Sequence, residues 1–321
     1  MFIARDRQVF CGWMALMVLA GLIGGCFWGC TEAEKNEGDQ APGQEPTISL
    51  YLAETDEKKE IKLEEYIQGV VAAEMEPDWP INALAAQAIL ARTFTLERIA
   101  TTGGVPARGT DASTDVEEFQ AYDPKRINQA VIEAVQKTRG EVVKYEGKYI
   151  KAWFFADSGG VTAASAEEGL AYTKEPSPYI RSVKDPGAEI TTAENKAWRA
   201  EFSLDKVRAA VQQAAGQDPG AITTAKIVQR GESGRAMKIQ IGEVTVSGPA
   251  LRLALGSEEM RSTLLTEFAL GNGKLIVAGK GFGHGVGMSQ WGARALAEQG
   301  RSPEEIIRYF YKGIEIVKEW D

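Results

Sequence analysis

From Gly279 to Gly287 every second residue is a glycine: Gly279-Lys280-Gly281-Phe282-Gly283-His284-Gly285-Val286-Gly287. Glycine admits backbone angles closed to other residues and lets the chain approach a ligand closely. The spacing fits no nucleotide loop. None of these glycines completes a G-x-G-x-x-G register, and no Gly-Lys-Ser/Thr makes a phosphate loop. The ladder continues through Met288-Ser289-Gln290-Trp291-Gly292 into a helix predicted over 289–299, so His284, Ser289 and Gln290 sit at or just before its N-terminus. Donors placed there suit sugar hydroxyls or an acetamido group. His284 is the one histidine of the chain. A lone histidine is more often structural than catalytic, but its place inside the ladder argues for a role in function.

All three cysteines (Cys11, Cys26, Cys30) fall within the first 30 residues. Cys/His zinc sites, thiolate chemistry and disulfide scaffolds are thereby excluded from the rest, although a carboxylate-only metal site is not. With 36 basic and 45 acidic side chains the net charge is −9, against a nucleic-acid binder that works through its bulk field. Arg5 and Arg7 precede an uncharged, largely apolar run from Gln8 to Thr31, long enough to span a bilayer with its start in the cytoplasm. Residues 1–31 are therefore expected to be an uncleaved signal anchor or, since Ile23-Gly24-Gly25-Cys26 resembles a lipobox, a lipoprotein signal. Either puts the remainder outside the cytoplasmic membrane, held at the cell membrane. Residues 32–46 hold five acids, two prolines and no large apolar side chain, and read as a disordered linker. The folded body is expected over 47–321.

Within the body, Ile48–Leu52 alternates like a strand, and Leu63–Met75 and Ile81–Ile99 have helical spacing around Pro77 and Pro80. A polar loop over 101–115 precedes a helix at 127–137. Residues 142–145 and 149–155 flank Glu146-Gly147 as a hairpin, and a helix is predicted near 204–214. Further strand turns are placed at 231–234, 246–249 and 271–273. Ser302-Pro303-Glu304-Glu305 is a capping box that opens a last helix to about Tyr311. Strands mixed with segregated helices, without βαβ alternation, indicate an α+β fold of helices and antiparallel strands. Two lobes around a cleft are expected.

In the first helix Leu63, Ile67, Val70 and Val71 form an apolar stripe that Glu74 continues. A glutamate near a helix end can simply turn into water. If the stripe holds, Glu74 is partly desolvated, its pKa is raised, and it has the character of a general acid. Glu76 is its nearest rival but leaves the stripe. The second helix is rich in small residues (Ala85, Ala86, Ala88, Ala91), so it can approach the first closely and bring Arg92 near Glu74; otherwise Arg92 is a surface cation.

These residues resemble a known family. Tyr66 to Met75, Trp79-Pro80, Ala83 to Ala88 and Ala91-Arg92-Thr93-Phe94 look like the opening block of the stage II sporulation protein D family. The glycine ladder resembles its closing G-x-G-H-G-x-G-M-S-Q-W-G-A signature through Ala293, and Gln120-Ala121-Tyr122, Thr138-Arg139-Gly140, Ser158-Gly159-Gly160, Ser233-Gly234-Arg235 and Arg261-Ser262-Thr263 follow the family's order. The resemblance implies a membrane-anchored peptidoglycan lytic transglycosylase that cuts glycan strands stripped of stem peptides during engulfment in sporulation. Glu74 would match the catalytic acid and Arg92 the family's helix arginine. Arg92, Ser158, His284, Ser289 and Gln290 would bind substrate. Stage II sporulation proteins P and M would be partners, beside peptidoglycan and the cell membrane, and no nucleic acid. Family members often carry a histidine before Ser-Gly-Gly, and some bind zinc with it. Here Phe155-Ala156-Asp157 stands there, so no zinc and no other cofactor is expected. Two other readings stay open: a non-catalytic glycan-binding enhancer of an amidase, and a hydrolase using a second carboxylate from Asp78, Asp115 or Asp157.

Overall fold

The computed structural model describes residues 43–321. The expected membrane segment at 1–31 and the linker up to residue 42 lie outside the described residues. Among the described residues no helix is long and apolar enough to cross a membrane. The last linker residues are already tied to the fold. Gly43 bridges to Trp320, and Glu45 accepts the Glu64 N–H at 3.0 Å while pairing with Arg139. Glu45, which the sequence placed in the linker, supplies the cap that Lys62 cannot give to the helix beginning at Leu63.

A hairpin of β1 (Thr47–Leu52) and β2 (Glu57–Lys62) leads into α1 (Leu63–Glu74) and α2 (Ile81–Thr102). Pro77 and Pro80 separate the two helices, and α2 stops at Gly103 in the left-handed conformation. β3 (Ala112–Ser113) adds to β1 in parallel, and α3 (Gln129–Lys137) packs on both helices. Next come β4 (Glu141–Tyr145), β5 (Lys148–Tyr149) and β6 (Phe154–Phe155), then short helices α4 (Ala166–Leu170), α5 (Gly187–Ile190) and α6 (Ala193–Lys196). The hairpin turn at Glu146-Gly147 is where the sequence placed it, but its second strand ends at Tyr149 rather than 155.

β7 (Trp198–Ser203), α7 (Leu204–Ala215), β8 (Ala225–Arg230), β9 (Ala236–Ile241), β10 (Val244–Ser247), α8 (Gly248–Leu255), β11 (Leu265–Gly271) and β12 (Lys274–Gly279) form two antiparallel sheets, ordered β10-β9-β8 and β11-β12-β7. The turn expected at 246–249 is instead the start of α8, capped by Ser247; Gly242-Glu243 makes the β9–β10 turn. The chain closes with β13 (Met288–Ser289), α9 (Gln290–Glu298), α10 (Pro303–Phe310) and β14 (Glu315–Lys318). The fold is α+β with mostly antiparallel strands, as the order of elements predicted.

Two apolar clusters hold it together. One joins α1–α3 to α9, α10 and the C-terminal Trp320; the other lies among β7–β12, α7 and α8. α2 is central to the first. Ala83, Ala85, Ala86, Ala88 and Ala91 are all fully buried, and their small side chains let α1, α3, α9 and α10 close on it from several sides. Each buried Leu or Ile among them contributes roughly 1.5–3 kcal/mol. At the far end of this bundle is a buried ion pair. Glu64 takes Arg92 Nε at 3.0 Å and Nη2 at 2.8 Å, and its Oε1 also accepts the N–H of Gly140 and the Trp320 indole. Arg92 Nη1 donates to the Glu141 carbonyl. Because Arg92 is wholly buried, its removal strands an anion in the core. Arg92→Ala should lower unfolding stability by about 3–5 kcal/mol, measured as a shift of the urea midpoint. A loss under 1 kcal/mol would mean that water reaches Glu64.

Candidate active site

The apolar stripe of α1 holds to its end. Leu63, Ile67, Val70 and Val71 are fully buried, and Glu74, one turn on, is left only partly exposed. Burial pushes its carboxyl from 4.5 up to about 7, moderated by the Ala121 N–H, which donates to Oε1 at 3.1 Å, and by a hydrogen bond from the Gln290 side chain. The loop carrying Ala121 is fixed against α1 by close approach. A methyl on Gly69 would lie 2.2 Å from the Tyr122 ring, that ring stacks on Tyr66 at 5.5 Å, and the Asp123 N–H donates to the Gly69 carbonyl. Glycine at 69 is what lets the ring in.

Gln290 is placed by the glycine ladder. Gly281, Gly283, Gly285 and Gly287 all have φ between 79° and 110°, a region that disfavours any side chain. At Gly285 a Cβ would also meet the buried Arg235 guanidinium at 2.3 Å. Arg235 in turn donates to the carbonyls of Ser158 and Val161. The ladder pairs with the chain around Asp157, then β13 runs parallel to β6 and delivers α9 with Ser289 as its cap. Gln290, the first helical residue, then faces Glu74. Both belong to elements of the first apolar cluster, so they face each other within one core and not across the two clusters.

Of the six side chains singled out from the sequence, the structure brings Glu74 and Gln290 together. The others serve elsewhere. Arg92 is a correction: it binds Glu64, ten residues before Glu74 and thus about 15 Å away along the helix, because the close helix packing puts it opposite the first turn. Ser158 is fully buried and its hydroxyl accepts the Gly160 N–H. Ser289 is fully buried and caps α9 through the Gly292 N–H at 3.1 Å. His284 Nδ1 accepts the Val286 N–H at 3.0 Å, and the imidazole also bonds to the Phe154 backbone. Burial, with the charges of Arg252 and Arg235, pushes it down to about 3, so it is a neutral brace. These three hold the loop that positions Gln290; Ser158 and Ser289 are fully buried, and His284 is left partly exposed.

The rival carboxyls are set differently. Glu76 is exposed and paired with Arg126, Asp78 is exposed, Asp115 caps the Glu117 N–H, and Asp157 is buried with Oδ1 on the Gly159 N–H. Among the described residues no group of three or more His, Cys, Asp or Glu side chains is arranged to hold a metal. Sequence reasoning missed an aromatic pair that ties the loop after α1 to α9. Trp79, in the loop after Glu74, packs on Trp291 at 4.8 Å, with the Arg294 guanidinium 5.2 Å from each ring. Their signal was adjacency: each tryptophan follows a site residue closely in the chain.

A half-buried acid poised near neutrality with an amide against it makes a site suited to proton transfer. Comparison with known proteins identifies the family. A family model described as stage II sporulation protein matches residues 51–145, and one described as a domain of unknown function matches residues 184–287. Stage II sporulation protein D of Bacillus amyloliquefaciens is 33% identical over 298 residues, covering 86% of this chain and 82% of that protein. Its Bacillus subtilis namesake is 30% identical over 292 residues, 84% of this chain and 78% of that protein. The amidase enhancer of Bacillus subtilis is 29% identical over 291 residues, 77% of this chain and 39% of that protein. The chain belongs to the stage II sporulation protein D family.

Glu74 gives up its proton near pH 7 when folded and near its ordinary 4.5 when unfolded, so between these values the native state binds the extra proton. Native stability from this group is full at low pH and is lost as pH rises through that window. Urea unfolding of wild type against Glu74→Gln should therefore show wild type losing ground between about pH 4.5 and 7. A difference that does not change with pH would put the carboxyl in open water.

Proposed function

We propose that the protein is a peptidoglycan lytic transglycosylase, with Glu74 as its acid and then its base. The observation that carries this is the carboxyl held protonated to about pH 7 by burial, with no neighbouring carboxylate taking part in its titration. One carboxyl suffices for this reaction. Protonated Glu74 donates to the oxygen joining N-acetylmuramic acid to N-acetylglucosamine, and the C1–O bond breaks as an oxocarbenium-like state develops. The glutamate so formed takes the proton of the muramyl C6 hydroxyl, whose oxygen bonds to C1 and closes a 1,6-anhydro ring. The acid is restored and no water is consumed. Gln290, donating to the carboxylate, orients it and stabilises the ionised midpoint of the cycle. A hydrolase would need a second carboxylate to activate water; Asp115 and Asp157 are engaged with backbone N–H groups, and no carboxylate takes part in the titration of Glu74.

In this reading the enzyme works outside the cytoplasmic membrane, tethered through residues 1–31, on strands remodelled in engulfment, with stage II sporulation proteins P and M as partners. The similarity to an amidase enhancer supports a second reading, a glycan-binding protein that stimulates an amidase without cutting. Mass spectrometry of digested strands separates them. Wild type alone should release anhydro-muramyl ends, each one water lighter than a hydrolytic product. Glu74→Gln should lower the rate at least about a hundredfold, the usual range for a lost general acid. The wild-type rate should fall above pH 7 as the acid deprotonates. Unaltered strands with wild type would favour the enhancer, and reducing ends the hydrolase.

A further inference from the structure

A groove of about 630 Å³ lies against the C-terminal half of α2, walled by the β4–β5 hairpin and by the segment 175–179. That is within the roughly 300–1,000 Å³ of small-ligand sites. Neither Glu74 nor Gln290 nor Ala121 lines it, so the proton-transfer chemistry does not use it. Tyr145, Tyr149 and Tyr179 give the lining its ring surface, and two of these rings are locked. The Tyr179 hydroxyl accepts the Lys151 N–H at 2.9 Å, and its ring lies 5.7 Å from that of Tyr145. The Tyr149 hydroxyl donates to Glu319, and the Lys144 ammonium stands 5.0 Å from its ring. With these hydroxyls engaged, the two rings have carbon surface left to offer.

The lining also holds a polar pair. Glu97 Oε1 accepts Lys151 Nζ at 2.7 Å and the Thr101 hydroxyl at 3.2 Å. The Glu97 side chain is 7% exposed, yet its Oε2 takes no hydrogen bond among the described residues. Lys151 Nζ makes no second one there either, since Glu175 stands 3.7 Å away. A fixed acceptor and a fixed donor thus sit side by side with capacity to spare. Three carboxylates of the lining (Glu97, Glu146, Glu175) balance three ammonium groups (Lys144, Lys148, Lys151), so the groove has no net charge with which to hold an ion. We propose that it is a carbohydrate site distinct from the one at Glu74, taking a short run of uncharged pyranose sugars. A sugar hydroxyl donates and accepts through one oxygen, so it can give to Glu97 Oε2 while taking from Lys151. The C–H faces of the sugar pack on the tyrosines, and because the rings and the pair are already held, little order is lost on binding. The site stands whether or not Glu74 cuts.

Photoaffinity labelling tests this. Full-length protein is irradiated with a photoreactive N-acetylglucosamine tetramer, and the labelled peptides are located by mass spectrometry. Label should fall on residues 144–151 and 175–179, and unlabelled tetramer should compete it away. Tyr149→Ala and Glu97→Gln should each weaken capture there about tenfold, whereas Tyr149→Phe, which keeps the ring, should bind as wild type does. Glu74→Gln should leave this labelling unchanged. Label confined to peptides around Glu74 and Gln290, capture that survives both Tyr149→Ala and Glu97→Gln, or competition by a soluble stem peptide as strong as by the sugar would overturn the assignment. Circular dichroism melts of each variant that match wild type confirm that the fold is kept. A protein labelled in this groove that releases no anhydro-muramyl ends removes the transglycosylase reading and leaves this site standing; one that cuts strands but takes no label here does the reverse.

Discussion

Glu64 and Arg92 clamp the bundle on which everything else is hung. Their two-pronged ion pair joins the first turn of α1 to the middle of α2, and the same carboxylate collects Gly140 and the indole of Trp320. A buried charge tolerates no slack, because a misplaced partner leaves an unsolvated ion. The pair therefore fixes how α1 slides against α2, and with it the position of Glu74 some ten residues on. The functional carboxyl and the structural one lie at opposite ends of one helix. One is neutralised by a cation; the other is left to be neutralised by a proton.

The site owes its chemistry to packing. Glu74 follows an apolar stripe into a setting where water is scarce, and a single N–H and an amide give it only part of the stabilisation that solvent would. Much of the polar chemistry nearby is structural in kind. His284, Ser158 and Ser289 spend their hydrogen-bonding capacity on backbone groups that bend the chain around glycines no other residue could replace. That bend carries α9 to α2 and points Gln290 at the acid. The loop is a positioning device, and its glycines are there for backbone geometry as much as for any ligand.

Several of these features could be read from the residues. The helix of Glu74, its stripe, the proline break and the capping box at Ser302 are local, and local patterns of spacing and cap chemistry foretold them. The β10–α8 junction misled because Ser247-Gly248-Pro249 reads equally as a turn and as a helix start. Arg92 misled for a different reason. Small residues show that two helices approach but not at which level they cross, so the cation could be set near Glu74 or near Glu64 with the same sequence evidence. Ser289 and Gln290 are adjacent in sequence and opposite in fate: one turns inward as a cap, the other toward the acid.

The sequence by itself determined the α+β order of elements, the acidic side chain on a greasy helix face and a glycine-bound loop ahead of a helix, since these depend on neighbours a few positions apart. Only the tertiary structure decided which polar groups are free. Whether a serine caps a helix or meets a sugar, and whether an arginine serves the core or lines a site, depends on groups brought from tens to hundreds of residues away. Glu64 meeting Trp320 and Trp79 meeting Trp291 are contacts of that kind. Burial is a property of the assembled molecule, and the raised pKa on which the chemistry rests exists only once that assembly has shut water out.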